Sequence, residues 1–307
     1  MSQKTSSYLS SNGTDIFYRK WETSEKARGI VQIAHGMAEH SERYDDFAQT
    51  LTQAGFHVYA NDHRGHGLTA KETKNLGFFA EQNGWELVVD DLFELTKLSK
   101  AEHPNLPLFL LGHSMGSYLS RRYIQKYGDE LQGVILSGTG SPPKIMTSIG
   151  RMIAIAEGKV KGKRTRSHLM DKLSFGQFNQ KFAPTRTSFD WLTRDIKQVD
   201  QFIKDPYCGE VSTAGFFADL LGGIGLLDHP EHLRMIPKDL PIYLFSGDQD
   251  PVGGFTKGVL KAYHTYKKCG ITDLEYKFYV DGRHEMFNET NKDEVYQDVL
   301  TWMEARL

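Results

Sequence analysis

Ten residues, Leu108 to Ser117, constrain the fold of this chain more than any other stretch. Leu108, Phe109, Leu110 and Leu111 form a continuous apolar run bounded by Pro107 and Gly112, the pattern of a strand buried on both faces. The run leads directly into Gly112-His113-Ser114-Met115-Gly116. Leu119, Tyr123, Ile124 and Tyr127 then recur with helical spacing up to Gly128. A strand, a tight turn with serine at its apex and a helix together make a nucleophile elbow. The reversal brings backbone against the positions two before and two after Ser114, so glycine is needed at both. The turn lifts the hydroxyl clear of the sheet and aims the first helical N–H groups at any anion formed there.

The same alternation extends through much of the chain. Asn12-Gly13 between aromatic and β-branched runs predicts an antiparallel hairpin ending near Trp21. Buried strands are read at Gly29–Gly36, Phe56–Ala60, the elbow and Leu131–Gly138, and another starts at Pro241 and ends in the carboxylate-rich loop that reaches Pro251. A further strand is read at 274–280, where Leu274, Tyr276, Phe278 and Val280 alternate with Glu275, Lys277 and Tyr279. Helices are expected around Phe47–Ala54, Val88–Leu95, Thr256–Lys268 and Val295–Met303. Strands alternating with helices predict an α/β fold with a mostly parallel, eight-stranded sheet flanked by helices. From about Gly140 to Pro237 the alternation stops and the pattern turns helical. The expected organisation is therefore a core from 1–140 and 237–307, interrupted by a mainly helical cap at 141–236.

Composition narrows the function. With 307 residues and a formal net charge of -2, the chain has ample core and no electrostatic pull toward nucleic acid. Two cysteines, Cys208 and Cys269, do not make a disulfide framework. The N-terminus lacks the apolar core of a signal peptide and no apolar run approaches ~18 residues, so a cytoplasmic location is expected.

Ligands of parallel α/β sheets bind beyond the carboxyl ends of the strands, where four of these segments end. They carry His35-Gly36-Met37, Ser114, Asp248 with Asp250, and His284. A serine hydroxyl needs a base to act as a nucleophile, and His284 is the only histidine that follows a strand after the acidic loop. Asp250 is read as the anion that orients the imidazole, with Asp248 as its rival. The backbone N–H groups of Met37 and Met115 are the candidate oxyanion donors. The order serine, acid, histidine is that of α/β-hydrolases.

Five segments sharpen this reading: His35–Tyr44, Asn61–Gly67, Gly112–Gly116, Gly247–Val252 and Arg283-His284. Together they resemble the monoacylglycerol lipase and lysophospholipase branch of the α/β-hydrolases over nearly the whole chain. The resemblance implies Ser114 as nucleophile, Asp250 as acid, His284 as base, Met37 and Met115 as oxyanion donors, and no cofactor. Within 141–236, Arg186–Asp195 and Asp205–Gly209 also resemble bacterial lysophospholipase-like members. The acidic loop departs from the lipase pattern by carrying a second aspartate, Asp248, and the cap shares little else with it; the departure in the cap bears on the substrate rather than on the triad.

The expected reaction is cleavage of a carboxylic ester of monoacylglycerol or lysophospholipid type through an acyl-enzyme. The alternatives are the same triad acting on a thioester, amide or carbon–carbon bond, and a non-catalytic binding protein of the same fold. Phe216, Phe217, Leu220 and Leu221 are read either as core or as an acyl pocket. The basic run Lys159–Arg166 is read as a solvated loop, with transient membrane contact through the cap as its functional alternative. No histidine spacing suggests a metal site. His35 and the Asp62 loop are expected to brace the rim of the site.

Overall fold

The structure, a computed structural model, describes residues 3–307. The hairpin β1 (Gln3–Leu9) and β2 (Asp15–Trp21) leads into β3 (Gly29–Ala34), α1 (Asp45–Gln53), β4 (Phe56–Asn61) and α2 (Gly84–Glu102). The elbow follows as β5 (Leu108–His113) and α3 (Met115–Tyr127), then β6 (Gly133–Ser137). Between β6 and the next strand lie α4 (Lys144–Lys161), α5 (His168–Phe175), α6 (Ile196–Lys204), α7 (Ala214–Leu226) and α8 (Pro230–Arg234). The chain ends with β7 (Ile242–Gly247), α9 (Lys257–Lys268), β8 (Leu274–Tyr279) and α10 (Lys292–Glu304).

The eight strands form one sheet in the order β1-β2-β4-β3-β5-β6-β7-β8. From β4 to β8 every pairing is parallel, and β2 runs antiparallel to both its neighbours. The hairpin turns where Asn12-Gly13 predicts it, with Gly13 at φ +79°.

Both faces of the parallel body are covered, which is why its strands read as unbroken apolar runs rather than as alternating ones. Successive residues still point to opposite sides. Leu110, Val134, Leu136, Ile242 and Leu244 pack with α2, α3 and α9 through Val88, Leu92, Leu119, Tyr123 and Val259. Phe109, Leu111, Ile135, Tyr243 and Phe245 pack on the other face with α1 and α10 through Phe47, Leu51, Val295 and Val299.

The edge strand β8 departs from the predicted alternation. Tyr276 and Val280 are 45% and 75% exposed, whereas Tyr279 is buried against Phe245 with its hydroxyl donating to Asp298. An edge strand has a neighbour on one side only, so its apolar face is partly open. The α10 side of β8 instead supplies a charged partner for a tyrosine.

The segment between β6 and β7 is helical, and α7 is its buried element. Phe216, Phe217 and Leu220 sit in the core with Trp85, Val88 and Val89 of α2. A Cβ on Gly223 would enter the Trp85 ring, so glycine lets the two helices meet. Leu221 faces Gly150 of α4. The basic run is solvent-exposed as expected, although Lys159 and Lys161 belong to the last turn of α4 rather than to a loop; Arg164 pairs with Glu81, and Lys163 and Arg166 donate to the carbonyls of Glu81 and Leu76. These contacts tie the helical segment to the loop before α2.

Candidate active site

Ser114 stands between the last residue of β5 and the first of α3, at φ 52° and ψ −119°. That conformation costs a non-glycine residue about 1–3 kcal/mol, so the surroundings must hold it. Its N–H donates to the Ser137 carbonyl at 2.9 Å, and its own carbonyl accepts from the Ser117 N–H and hydroxyl at 2.9 and 2.6 Å. The flanking glycines have the steric reason anticipated from sequence. A Cβ at Gly116 would strike the Ala34 carbonyl, and one at Gly112 would strike the Gly116 carbonyl.

The loop after β3 passes beside the serine, a Cβ at Gly36 lying only 3.3 Å from the Ser114 Cβ. Glu39 shapes this loop by accepting from the Gly36 N–H at 2.5 Å and the Tyr44 hydroxyl at 2.9 Å. Among the described residues, the N–H groups of Met37 and Met115 donate to no protein acceptor. Two free amides, one on the loop and one at the start of α3, thus flank the serine.

His284, in the loop after β8, is 2% exposed, and its Nδ1 lies 3.0 Å from each carboxylate oxygen of Asp250. The imidazole is flanked by the rings of His113 and Trp191, with centroids 4.7 and 5.2 Å away. Burial opposes protonation of His284, but the Asp250 charge and its hydrogen bond outweigh it and raise the pKa. Asp250 is fully buried and also accepts from the Val252 N–H at 2.8 Å. The rival Asp248 is placed elsewhere: its Oδ1 accepts from the Asp281 N–H and the Gln249 amide, both at 2.9 Å.

Ser114 and His284 line one cavity of about 330 Å³, together with Met37 of the β3 loop. Its apolar wall comes from the helical segment, through Phe175, Phe189, Trp191, Leu192, Phe202 and Val211. The expectation of an acyl pocket at Phe216, Phe217, Leu220 and Leu221 is corrected here, since none of them lines the cavity. A nearly all-apolar helix, broken only by Asp219, fits between two other helices better than over a site.

Sequence reasoning also missed the charged network behind the loop after β3. Arg43 donates to Glu39 at 2.8 Å and bidentately to Glu285 at 2.6 and 2.7 Å. Burial raises the Glu39 pKa, whereas for Glu285 the Arg43 charge overrides burial and holds it at about 2. The visible signal was Glu39 and Arg43, four residues apart in a loop; Glu285, 242 residues from Arg43, gave none. The rim is braced as expected. His35 Nε2 accepts from the His63 N–H at 2.9 Å, and Asp62 accepts from Arg19, Ser41 and the Leu68 N–H.

Among the described residues, His40, Asp205 and Cys208 offer one cluster of metal-type donors. There His40 Nε2 is already 2.9 Å from Asp205, a hydrogen bond, and burial pushes the Cys208 thiol far up. That chemistry suits a neutral thiol rather than a metal-binding thiolate.

Residues 25–291 match the family described as Serine aminopeptidase, S33 (Hydrolase_4). The monoacylglycerol lipase of Mycolicibacterium smegmatis is 30% identical over 305 residues, covering 98% of this chain and 97% of the relative. The monoglyceride lipase of Rattus norvegicus is 25% identical, with 97% of this chain and 90% of the relative covered. A thermostable carboxyl esterase from Bacillus coagulans, solved in complex with glycerol, matches at a TM-score of 0.91 and 28% identity over 99% of each chain. With the elbow serine, the sheet order and these relatives together, the chain belongs to the Hydrolase_4 family of α/β hydrolases, in its monoacylglycerol-lipase-like branch, and is a carboxylic ester hydrolase.

Proposed function

We propose that Ser114, His284 and Asp250 form a catalytic triad that cleaves carboxylic esters of monoacylglycerol or lysophospholipid type. The observation that carries this reading is His284, held by Asp250 at 3.0 Å, in the same cavity as the elbow serine and two free amides. In this mechanism the Ser114 hydroxyl attacks the ester carbonyl as His284 Nε2 takes its proton, while Asp250 stabilises the imidazolium. The oxyanion is held by the N–H groups of Met37 and Met115, each such donor lowering the barrier by ~3 kcal/mol. His284 then protonates the departing alcohol, and water activated by the same imidazole hydrolyses the acyl-enzyme.

Residues 141–236 act in this reading as the cap, whose Phe175, Phe189 and Trp191 receive the acyl chain. Contact with a lipid surface falls to the apolar first half of α4, where Ile145, Met146, Ile149 and Met152 are exposed. Among the described residues no helix is long and apolar enough to cross a membrane. A fluorophosphonate probe should label the protein and fail to label Ser114→Ala; labelling that persists in the variant removes Ser114 from the role. The family description favours one second reading, amide hydrolysis, which turnover of an aminoacyl p-nitroanilide faster than of any ester would establish.

A further inference from the structure

Glu289 carries a carboxylate that the mechanism above leaves unused, and the residue is only 1% exposed. Its Oε1 accepts from two backbone amides, the Arg283 N–H at 3.1 Å and the Arg194 N–H at 3.0 Å. Its Oε2 accepts from Arg194 Nε and from the Thr290 N–H, both at 2.9 Å. Arg283 immediately precedes the imidazole in the chain, whereas Arg194 lies in the irregular stretch between α5 and α6. That stretch also holds the residue on the other side of His284, because the Glu285 N–H donates to the Leu192 carbonyl at 2.7 Å. The Arg283 guanidinium donates to the Asp190 and Thr193 carbonyls, and the Thr193 hydroxyl donates to the Asn288 carbonyl at 2.9 Å. Apart from one 3-10 turn at Met286–Asn288, the chain from β8 to α10 has no regular structure that could fix the imidazole. Its position depends on these lateral contacts instead.

Resting on the triad reading above, we propose that Glu289 is a positioning residue for the base: its Oε1 clamps the Arg283 and Arg194 amides together and thereby keeps His284 between Asp250 and Ser114. Both partners of that oxygen are neutral amides, so the clamp needs an acceptor at the right reach, while the charge serves the separate contact with Arg194 Nε. A reacting group misplaced by ~1 Å can cost ~100-fold in rate. Burial lowers the His284 pKa, and the Asp250, Glu285 and Glu39 charges raise it above the ordinary value. An imidazole that slips away from Asp250 loses the first of these charges, so its pKa falls.

Two substitutions separate reach from charge. Glu289→Asp keeps the charge and withdraws the oxygens from both amides by one methylene, about 1.5 Å, whereas Glu289→Gln removes the charge and keeps an oxygen at the original reach. Each variant is assayed on p-nitrophenyl butyrate from pH 5 to 9, with kcat referred to the sites titrated by a fluorophosphonate, so that unfolded protein is not counted. In Glu289→Asp kcat should fall at least ~10-fold with KM within ~3-fold of wild type, and the acid limb of kcat/KM should move to lower pH. Glu289→Gln should rescue kcat to within ~3-fold and return the acid limb to its wild-type place. The opposite order, with Glu289→Asp active and Glu289→Gln impaired, assigns the residue to the Arg194 ion pair and overturns the clamp. Wild-type behaviour of both variants, or equal losses in both with the acid limb unmoved, overturns it too. If Glu289→Asp does not fold, Glu289→Gln decides alone, and a loss of kcat beyond ~3-fold overturns the assignment. Absence of fluorophosphonate labelling at Ser114 in the wild type would instead remove the triad reading itself, so the two failures are distinguishable.

Discussion

Replacing Asp250 by asparagine keeps the size of the side chain and removes its charge. Asn Oδ1 can still accept from the Val252 N–H, so the loop after β7 should hold its shape. The electrostatic loss is large. With both oxygens 3.0 Å from His284 Nδ1, the charges lie ~4 Å apart between centres, worth about 4 kcal/mol at an effective dielectric of 20. At 1.36 kcal/mol per factor of ten, kcat should fall about 1,000-fold, and further if the amide N–H forces the wrong tautomer on the imidazole. The pH profile gives an independent readout. The base must be neutral to act, so wild-type kcat/KM should rise with pH through a pKa above the ordinary histidine value near ~6.5. In Asp250→Asn burial acts without its counter-charge, and the acid limb should move below that value. The assay is p-nitrophenyl ester hydrolysis from pH 5 to 9, with fluorophosphonate labelling rates measured in parallel. Asp248→Asn is the control, because Asp248 braces the Asp281 turn, and its rate should stay within ~3-fold of wild type. Activity of Asp250→Asn within ~10-fold of wild type, with the acid limb unmoved, would refute the reasoning.

Trp191→Ala should alter the acyl-chain-length profile and raise KM, because Trp191 lines the cavity beside His284. Phe216→Ala should lower stability by ~3–5 kcal/mol in urea denaturation and leave the chain-length profile unaltered, since its ring is packed against Phe79 in the core. Arg43→Met should cost ~3–5 kcal/mol at pH 7, because it leaves Glu39 and Glu285 buried without their cation. Glu285 has a folded pKa near 2, below its unfolded value, so its contribution is present above ~4.3 and lost as pH falls. The gap between Arg43→Met and wild type in urea midpoints should therefore narrow on acidification. Gly116→Ala, which drives a Cβ into the Ala34 carbonyl, should abolish labelling at Ser114 and lower the thermal midpoint.

What the sequence made legible was set by local chemistry. The elbow needs glycines at 112 and 116 because backbone passes there, and the hairpin needs a positive φ at Gly13. The buried strands are recognisable because both faces of β3, β5, β6 and β7 are covered, which leaves no polar alternation to blur them. The apolar wall of the cavity had no such signature. Phe175, Phe189 and Trp191 come from the end of one helix and from irregular chain, while the one conspicuous apolar helix, α7, is buried between α2 and α4. Its nearly continuous apolar sequence, broken only by Asp219, was the available clue, because such a helix packs among neighbours. Glu285 joins the Glu39–Arg43 pair only through a contact between distant segments, for which residue spacing carries no information. The two acidic residues after β7 show where the division falls. Asp248 and Asp250 are chemically alike and two positions apart, so Asp248 stands as a rival to Asp250 on sequence. The turn sends one toward the Asp281 amide and the other into the sheet end beneath His284, and only this difference in direction gives them different electrostatic consequences.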